Sequence, residues 1–264
     1  MTTVPTPFQR FFEVAVSTIL YIYFTLGFLL FFVWFYLLAF LFSRDREAAF
    51  QKLNHRFYRG FLLLARTFIP GLEIRIDEDV RSIRSSLIVS NHLSYLDPIL
   101  LISLFPRQKT IVKSKFFNYP IFSWLLRTSG YLPASASGEL APILIRNLDS
   151  MQAFFASGGN LFIFPEGTRS RDGTLAPFGK GAFTLARKFH APIHVLRIRN
   201  TNRLFPPGRL VFQASERITL HVEHLGVISA ASLEGVSSLS EIIRNVRALY
   251  LPEDRNPGNP EKLP

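Results

Sequence analysis

The chain has 264 residues and carries 30 Lys and Arg against 19 Asp and Glu, a formal net charge of +11. A surplus of this size favours acidic partners. Cysteine is absent, which excludes disulfides, cysteine-bound zinc, iron–sulfur clusters and thiolate catalysis. The length is suited to one domain of ordinary core size with an additional segment.

The additional segment lies near the N-terminus. No side chain from Val14 to Phe42 is charged, and these roughly 29 residues would form a helix of about 43 Å. A membrane span needs only about 20 apolar residues. We therefore expect either one long tilted span or two shorter helices that meet near Thr25-Leu26-Gly27. A secretory signal is excluded, because Ser43-Arg44-Asp45-Arg46 follows instead of a small-residue cleavage site.

Basic residues are concentrated after this apolar segment, and by the positive-inside rule they place the large C-terminal part in the cytoplasm. Residues 45–69 then predict an amphipathic helix that ends at Pro70-Gly71. Its polar face carries Lys52, Arg56, Arg59 and Arg66, and its apolar stripe carries Ala49, Leu53, Phe57, Phe61, Leu64 and Phe68. Such a helix lies flat on an anionic membrane, packs on the domain, or does both.

Beyond residue 71, short β-branched runs alternate with helical patterns, which is typical of an α/β domain. Strands are predicted at 72–76, 86–90, 110–113, 131–133, 160–165, 193–198, 210–212 and 218–223. Helices are predicted at 95–104, 119–128, 139–156, 179–189 and 238–250. We expect one domain at 70–250, with a mixed sheet and helices on both faces, and a disordered tail at 251–264.

Two polar motifs follow predicted strands, where open α/β sheets usually place their sites. In the first, N-H-L-S-Y-L-D, His92 lies in a turn and Asp97 on the first turn of the next helix. A carboxylate there can hold one imidazole nitrogen, so that the other accepts a proton near neutral pH. The Ser94-x-x-Asp97 spacing equally fits a capping box, in which Asp97 stabilises the helix N-terminus.

The second motif, F-P-E-G-T-R-S, follows an apolar strand. Gly167 permits close backbone approach, and Arg169 offers a planar guanidinium suited to a phosphate. The alternative interpretation is a solvent-exposed loop that leads into a tight turn at Asp172-Gly173.

Together, and behind a membrane segment, the two motifs resemble those of the glycerolipid acyltransferase family, which includes lysophosphatidic acid acyltransferase. The resemblance covers roughly residues 70–214, with further support from I-V-K-S-K-F-F-N-Y-P and F-G-K-G-A-F-T-L-A-R-K-F-H-A-P-I. It implies an α/β acyltransferase domain. His92 would be the general base on the acceptor hydroxyl, with Asp97 as its orienter. The acyl thioester would be attacked directly, without an acyl-enzyme.

The resemblance also implies the binding residues. The acceptor would be bound by Glu166, Gly167, Thr168, Arg169 and Lys113, with Arg169 on its phosphate. Pro192 would lie in the acyl-donor region. The expected partners are a lysophospholipid, acyl-CoA or acyl carrier protein as cosubstrate, and an anionic membrane. Neither a metal nor a further cofactor is expected, nor nucleic acid, because no reading motif is present. The expected location is the inner (cytoplasmic) membrane, with the catalytic domain on its cytoplasmic face.

One stretch departs from the family pattern. Where the family's second block usually carries an arginine, G-Y-L-P-A-S-A-S-G-E supplies Ala134 and Ser135. Either other cations compensate, or the acceptor is another lyso-lipid or a lipid alcohol, such as lyso-ornithine lipid. The cations available are Arg169, Lys113, Lys115, Arg171 and Lys180. A third alternative is a lipid-binding protein that keeps the fold without catalysis.

Overall fold

A computed structural model describes residues 6–135, 137–170, 173–235 and 238–251. Its strands are β1 (Leu72–Ile76), β2 (Leu87–Ser90), β3 (Gln108–Val112), β4 (Leu132–Pro133), β5 (Asn160–Ile163), β6 (Ile193–Arg199) and β7 (Ile218–Ile228). Its α-helices are α1 (Pro7–Ile22), α2 (Val33–Phe42), α3 (Arg46–Phe68), α4 (Leu96–Leu104), α5 (Pro120–Thr128), α6 (Ala141–Asp149), α7 (Met151–Ala156), α8 (Gly181–Lys188), α9 (Thr201–Leu204), α10 (Ala230–Gly235) and α11 (Leu239–Ala248). A π-helix (Tyr23–Phe32) joins α1 to α2.

The strands form one sheet in the order β1-β7-β6-β2-β5-β3-β4. Every neighbouring pair is parallel except β6 and β7, which run antiparallel. The mixed α/β sheet that the sequence predicts is therefore confirmed. Because β2, β5, β3 and β4 are parallel neighbours, their carboxyl ends lie side by side along one edge. Both sequence motifs follow strands of this row.

Two apolar clusters cover the faces of the sheet, because successive strand side chains point to opposite sides. Ile88 and Phe162 belong to the cluster beneath α3 and α4. Leu87, Val89 and Leu161 belong to the other cluster, beneath α8 and α11. The sheet is thus buried on both faces, as parallel sheets require.

The N-terminal segment is one continuous helix from Pro7 to Phe42, and among the described residues it is long and apolar enough to cross a membrane. Its backbone stays right-handed helical at Ile22, Tyr23, Phe32 and Val33, where α-helix and π-helix meet. Of the two arrangements that the sequence allows, the structure has the single helix.

This helix runs antiparallel along α3. The ring of Tyr23 stacks on Phe57 with centroids 5.0 Å apart, and further along Tyr36 Oη donates to Asn54 Oδ1 at 2.6 Å. Outward, it presents a nearly continuous row of exposed apolar side chains, from Phe8 to Phe42. One side of the helix is therefore fixed to the domain and the other is left uncovered.

The buried face of α3 differs from the predicted apolar stripe. Phe57 and Phe61 are buried as predicted, whereas Phe68 is exposed and Ala49, Leu53 and Leu64 are only partly covered. The remaining buried positions are Phe50, Gln51, Asn54, His55, Leu62 and Ala65. Polar residues of α3 are buried because the surface of the domain that packs against this helix presents hydrogen-bonding groups to it. The predicted basic face is exposed at Lys52, Arg56, Arg59 and Arg66.

Hydrogen bonds and an ion pair attach α3 to the domain. Asn54 Nδ2 donates to Ser129 Oγ at 2.9 Å, and Gln51 Nε2 donates to the Ser129 carbonyl at 3.0 Å. Lys109 of β3 is fully buried and pairs with Glu47 Oε1 at 3.0 Å. Burial lowers the pKa of Lys109, and the charge of Glu47 opposes this shift.

Several predicted elements differ in detail. Residues 139–156 form a 3-10 turn and two helices, α6 and α7, instead of one helix. The strand predicted at 210–212 is wrong: Leu210 is exposed, and the Phe212 N–H donates to Ser17 Oγ of α1 at 2.9 Å. This segment is thus bound to a helix side chain instead of a strand. Of the predicted tail, residues 252–264 lie outside the described residues.

Candidate active site

His92 and Asp97 meet at the carboxyl end of β2. His92 Nδ1 and Asp97 Oδ2 are 2.8 Å apart, and Asp97 is fully buried. Because a carboxylate can only accept, Nδ1 carries the proton of this bond and Nε2 of the neutral ring is free to accept one. The His92 ring lies on Phe164 with centroids 4.2 Å apart, and its side chain remains 16% exposed. In this arrangement the carboxylate holds Nδ1–H, so that the ring can accept a proton at Nε2.

Asp97 also organises the turn that carries His92. Its Oδ2 accepts the backbone N–H of Leu93 at 2.5 Å and that of Ser94 at 2.8 Å. Its Oδ1 accepts the hydroxyl of Thr201 at 2.5 Å. The capping interpretation and the orienting interpretation therefore describe the same carboxylate.

Glu166 lies directly behind the histidine turn. Its Oε1 accepts the His92 N–H at 2.9 Å and its Oε2 accepts the Ala176 N–H at 3.0 Å. Burial raises the pKa of Glu166 above its ordinary value of 4.5, against the lowering effect of these two N–H groups. These two bonds link the His92 turn to the loop at Ala176, and the expected role of Glu166 in acceptor binding stays a prediction.

The loop after Glu166 brings Arg169 to the same place. Gly167 has a φ of +68°, a conformation that favours glycine, and it turns the chain back so that the Ser170 N–H donates to the His92 carbonyl at 2.8 Å. The Arg169 guanidinium lies 3.6 Å from the centre of the Tyr95 ring. Its Nη1 is buried and has no hydrogen-bond partner among the described residues. Thr168 is exposed beside it.

The other predicted cations differ in position. Lys113 follows β3, next along the row after β5, and is exposed. Lys115 is exposed too, with Nζ 5.4 Å from the Phe116 ring, and Lys180 is exposed at the start of α8. Arg171 lies outside the described residues.

Ser135 stands at the end of the row, after β4. Its backbone N–H donates to Ser114 Oγ at 3.1 Å, and the two hydroxyl oxygens are 2.8 Å apart. The stretch that departs from the family pattern therefore holds its Ser135 hydroxyl against that of Ser114, the residue after Lys113.

Pro192 is the predicted site residue that the structure does not bring to this edge. It precedes β6, and its carbonyl accepts the N–H of Leu87 at the start of β2. Since β2 and β6 are parallel, Pro192 lies at the opposite edge of the sheet from His92.

An apolar cavity of about 410 Å³ opens between the N-terminal helix, α3 and α5. Its walls include Phe24, Phe28, Tyr58, Ile121, Phe122 and Leu125. Tyr36 and Asn54, which are hydrogen-bonded to each other, add polar groups to the lining. A cavity with such a lining is suited to a hydrocarbon chain.

Sequence reasoning missed three contributors to the site: Phe164 under the His92 ring, Tyr95 under Arg169, and Thr201 on Asp97. Phe164 and Tyr95 lie inside or beside the motifs, so they could have been proposed as ring contacts. Thr201 is 104 residues from Asp97 and carries no motif signal.

Comparison with known proteins finds one family model and several relatives. A family model described as Acyltransferase matches residues 71–199. A chloroplastic 1-acyl-sn-glycerol-3-phosphate acyltransferase of Brassica napus is 33% identical over 158 residues, which cover 59% of this chain and 44% of the relative. The 1-acyl-sn-glycerol-3-phosphate acyltransferase of Saccharomyces cerevisiae is 32% identical over 162 residues, 57% of this chain and 52% of the relative. The match thus spans about half the length of these relatives.

Among solved structures, the fold is similar to that of the 1-acyl-sn-glycerophosphate (LPA) acyltransferase PlsC from Thermotoga maritima. The TM-score is 0.69 at 23% identity, over 90% of this chain and 93% of the other. At this identity the likeness concerns the fold, and it includes the region outside residues 71–199. Residues 71–199, which contain both sequence motifs, match the acyltransferase family model, and in this region the chain is similar to 1-acyl-sn-glycerol-3-phosphate acyltransferases.

Proposed function

We propose that the protein is a membrane-bound O-acyltransferase that moves a fatty acyl group from acyl-CoA or acyl carrier protein to the free hydroxyl of 1-acyl-sn-glycerol-3-phosphate. The observation that carries this proposal is the 2.8 Å contact between His92 Nδ1 and the fully buried Asp97 carboxylate, next to Arg169. The named activity of the relatives supports the choice of reaction.

In this reaction His92 Nε2 takes the proton of the acceptor hydroxyl as its oxygen attacks the thioester carbonyl. A carbon–oxygen bond forms, the carbon–sulfur bond breaks, and the proton on His92 passes to the departing thiolate. Asp97 holds Nδ1–H throughout and stabilises the imidazolium that forms. The chain has no cysteine to form an acyl-cysteine intermediate, which favours direct transfer.

Arg169 is the best-placed phosphate ligand. Its Nη1 is buried without a partner among the described residues, and a buried cationic donor is costly to leave unpaired. A phosphate there would receive a charge-assisted hydrogen bond. Lys113 and the hydroxyls of Ser114 and Ser135 continue the row along the sheet edge, so the acceptor headgroup would lie across β5 and β3.

The membrane would supply the acceptor lipid. The uncovered row of apolar side chains on the N-terminal helix would lie in the lipid, and the exposed basic face of α3 would favour anionic headgroups. The apolar cavity between this helix and α5 would receive an acyl chain. We place the protein at the cytoplasmic membrane, with the catalytic domain on its cytoplasmic face.

The test is thioester consumption by the full chain in detergent, with lysophosphatidic acid and lyso-ornithine lipid offered separately. A general base contributes about 10²–10⁴-fold, so His92→Ala should lose at least about a hundredfold in kcat. His221→Ala is the matched control, because His221 also pairs with an aspartate, Asp77, at 2.9 Å, but on β7, two strands from β2.

Each outcome decides between the alternatives. A His92-dependent rate on lysophosphatidic acid supports the proposal. A His92-dependent rate on lyso-ornithine lipid alone would keep the mechanism and replace the acceptor. If neither lipid is acylated, and cells that carry His92→Ala have the same phenotype as cells that carry the wild type, the protein is a lipid-binding member of the fold.

A further inference from the structure

Resting on the proposed function, we infer that Thr201 is a positioning residue for the His92–Asp97 pair and that it sets the orientation of the Asp97 carboxylate. Thr201 lies just beyond residues 71–199, which the family model matches, and outside both sequence motifs. Its hydroxyl reaches the site through Asp97, to which it donates a hydrogen bond.

The two oxygens of Asp97 have different tasks. Oδ2 accepts from His92 Nδ1 and from the N–H groups of Leu93 and Ser94. Oδ1 points the other way, to Thr201 Oγ1 at 2.5 Å. Because both carboxylate oxygens are hydrogen-bonded, rotation of the carboxylate plane about the Cβ–Cγ bond is restrained. The lone pair of Oδ2 therefore stays aimed at the imidazole.

Burial makes this contact important. Asp97 and Thr201 both have 0% exposure. A charged oxygen at such a depth needs a donor, and without the hydroxyl it would turn toward another one. The donors on the other side of the carboxylate are those already bound to Oδ2. Rotation of the carboxylate toward them would therefore disturb the hydrogen bond with His92 Nδ1.

The chain delivers Thr201 to Asp97 by a built turn. Asn91, the neighbour of His92, holds the end of β6 by accepting the N–H of Ile198 at 2.7 Å and donating to its carbonyl at 2.9 Å. Asn200 then adopts a φ of +66° and donates to the Thr219 carbonyl at 2.8 Å. The reversal at Asn200 starts α9 with Thr201 facing Asp97.

These contacts form a closed loop of connections. His92 is bonded to Asp97, Asp97 to Thr201, and Thr201 follows the β6 end that Asn91 holds. The β2 turn and the β6 end are therefore fixed to each other on both sides of the catalytic histidine. A geometry held in this way keeps the base in place for proton transfer.

The experiment replaces Thr201 with Val, which has the same shape without the hydroxyl, and with Ser, which keeps the hydroxyl. kcat and KM are measured on the full chain in detergent with lysophosphatidic acid and an acyl thioester. Thr201→Val should lower kcat about ten- to a hundredfold, with KM within about twofold, because only the aim of the base changes. Thr201→Ser should restore most of kcat.

Thr184→Val is the matched control, since the Thr184 hydroxyl is exposed on α8 and donates to the Lys180 carbonyl at the start of the same helix. It should keep the wild-type kcat. Melting temperatures of all variants distinguish unfolding of the protein from a changed orientation of the His92–Asp97 pair. Thr201→Cys provides a second test if the Val variant does not fold, because a thiol fills similar space and donates weakly; its kcat should also fall.

A readout without turnover separates this inference from the proposed function. The proton NMR signal of His92 Nδ1–H, assigned by its loss in His92→Ala, should remain in Thr201→Ser and shift or vanish in Thr201→Val. If the signal responds but no thioester is consumed by the wild type, the reaction is wrong and the positioning stands. A folded Val or Cys variant with full kcat and an unchanged signal would overturn the inference.

Discussion

At the scale of single residues, one carboxylate performs two tasks that are usually treated as alternatives. Asp97 closes the N-terminus of α4 through the Ser94 N–H and orients His92 through Nδ1. Both follow from the position of an acidic residue on the first turn of a helix, directly after a turn that carries a histidine. The local spacing N-H-L-S-Y-L-D is therefore enough to predict this pair.

Glu166 allows a prediction about how the two motifs depend on each other. Glu166→Gln keeps the size of the side chain but leaves one acceptor for two backbone donors, those of His92 and Ala176. A buried donor without its partner costs about 1–3 kcal/mol, so we expect kcat to fall about tenfold or more, with KM nearly unchanged. Steady-state kinetics on lysophosphatidic acid measures both.

Glu223→Gln serves as the comparison, because Glu223 is a partly exposed carboxylate that pairs with Arg197 and Arg199 instead of the motifs. It should behave like the wild type. The opposite pattern in Glu166→Gln, a raised KM with a full kcat, would return Glu166 to the acceptor-binding task that the sequence suggests.

Thr201 shows where residue-level prediction from sequence ends. Asp97 and His92 are five residues apart, so their contact follows from a local turn. Thr201 reaches Asp97 from 104 residues away, and its position depends on the register of β2 against β6 and on the left-handed conformation of Asn200. No pattern of residue types encodes that distance.

At the scale of elements, the N-terminal helix and α3 meet closely at Gly60. A Cβ at this position would lie 2.3 Å from Tyr23 Oη, whose hydroxyl donates to the Phe57 carbonyl at 2.8 Å. The close approach explains a glycine in the middle of a long helix, where it would otherwise cost about 0.5–1 kcal/mol against alanine.

Gly60→Ala should therefore destabilise the protein by about 1–3 kcal/mol, because the methyl group displaces the Tyr23 hydroxyl and breaks its hydrogen bond. Gly27→Ala is the natural comparison, since a Cβ there meets its nearest neighbour at an ordinary 3.6 Å. It should be neutral or stabilising. Thermal unfolding in one detergent measures both variants.

A second change tests the cause. Tyr23→Phe removes the atom that the new methyl group would meet, so the double variant Tyr23→Phe/Gly60→Ala should lose less stability than the sum of the two single variants. Strict additivity would show that the cost of Gly60→Ala arises elsewhere.

The face that α3 buries could not be predicted from its own sequence. Amphipathic periodicity assumes an apolar partner, and here the partner surface offers Ser129 and Tyr131, which bond Asn54. Polar residues of α3 consequently turn inward, and Phe68 stays exposed. The existence and ends of the helix follow from the sequence, whereas its rotation follows from the surface it meets.

At the scale of the whole molecule, most strands and the α/β class follow from alternating β-branched and helical runs. The sheet order does not, because β7 inserts between β1 and β6 after a long connection. The predicted strand at 210–212 illustrates the limit: the Phe212 ring packs against Tyr21 of α1 and its N–H donates to Ser17, so the segment is bound to a helix that lies outside the sheet.

Two histidines on the neighbouring strands β6 and β7 predict a pH dependence of stability. His194 Nδ1 of β6 and His224 Nε2 of β7 are 3.1 Å apart, and His224 bonds Asp79 in turn. Burial, followed by the neighbouring His224, lowers the pKa of His194 below its ordinary value of 6.5, and Asp79 opposes this shift.

The sign follows from linkage. In the unfolded chain His194 takes up its proton near pH 6.5, whereas in the folded protein it does so only at lower pH. The contribution of neutral His194 to the free energy of unfolding is therefore present above pH 6.5 and is lost as the pH falls through the native pKa. The melting temperature should drop between pH 7.5 and 5.5. His194→Gln should show a smaller drop, with the remainder due to His55, whose pKa burial also lowers. An unchanged drop in the variant would remove His194 as a cause.

The attachment of the N-terminal helix has a consequence for how the chain is made. Ser17 and Tyr21 of α1 bond Phe212 and Leu210, partners 195 and 189 residues later in the sequence. At about 5–20 residues per second, a ribosome would take roughly 10–40 s to produce those partners after it has made the helix. Through that interval the side of α1 that meets this segment is without its partner in the domain and must be covered by something else. Lipid contact during synthesis would therefore precede the fold that the helix later completes.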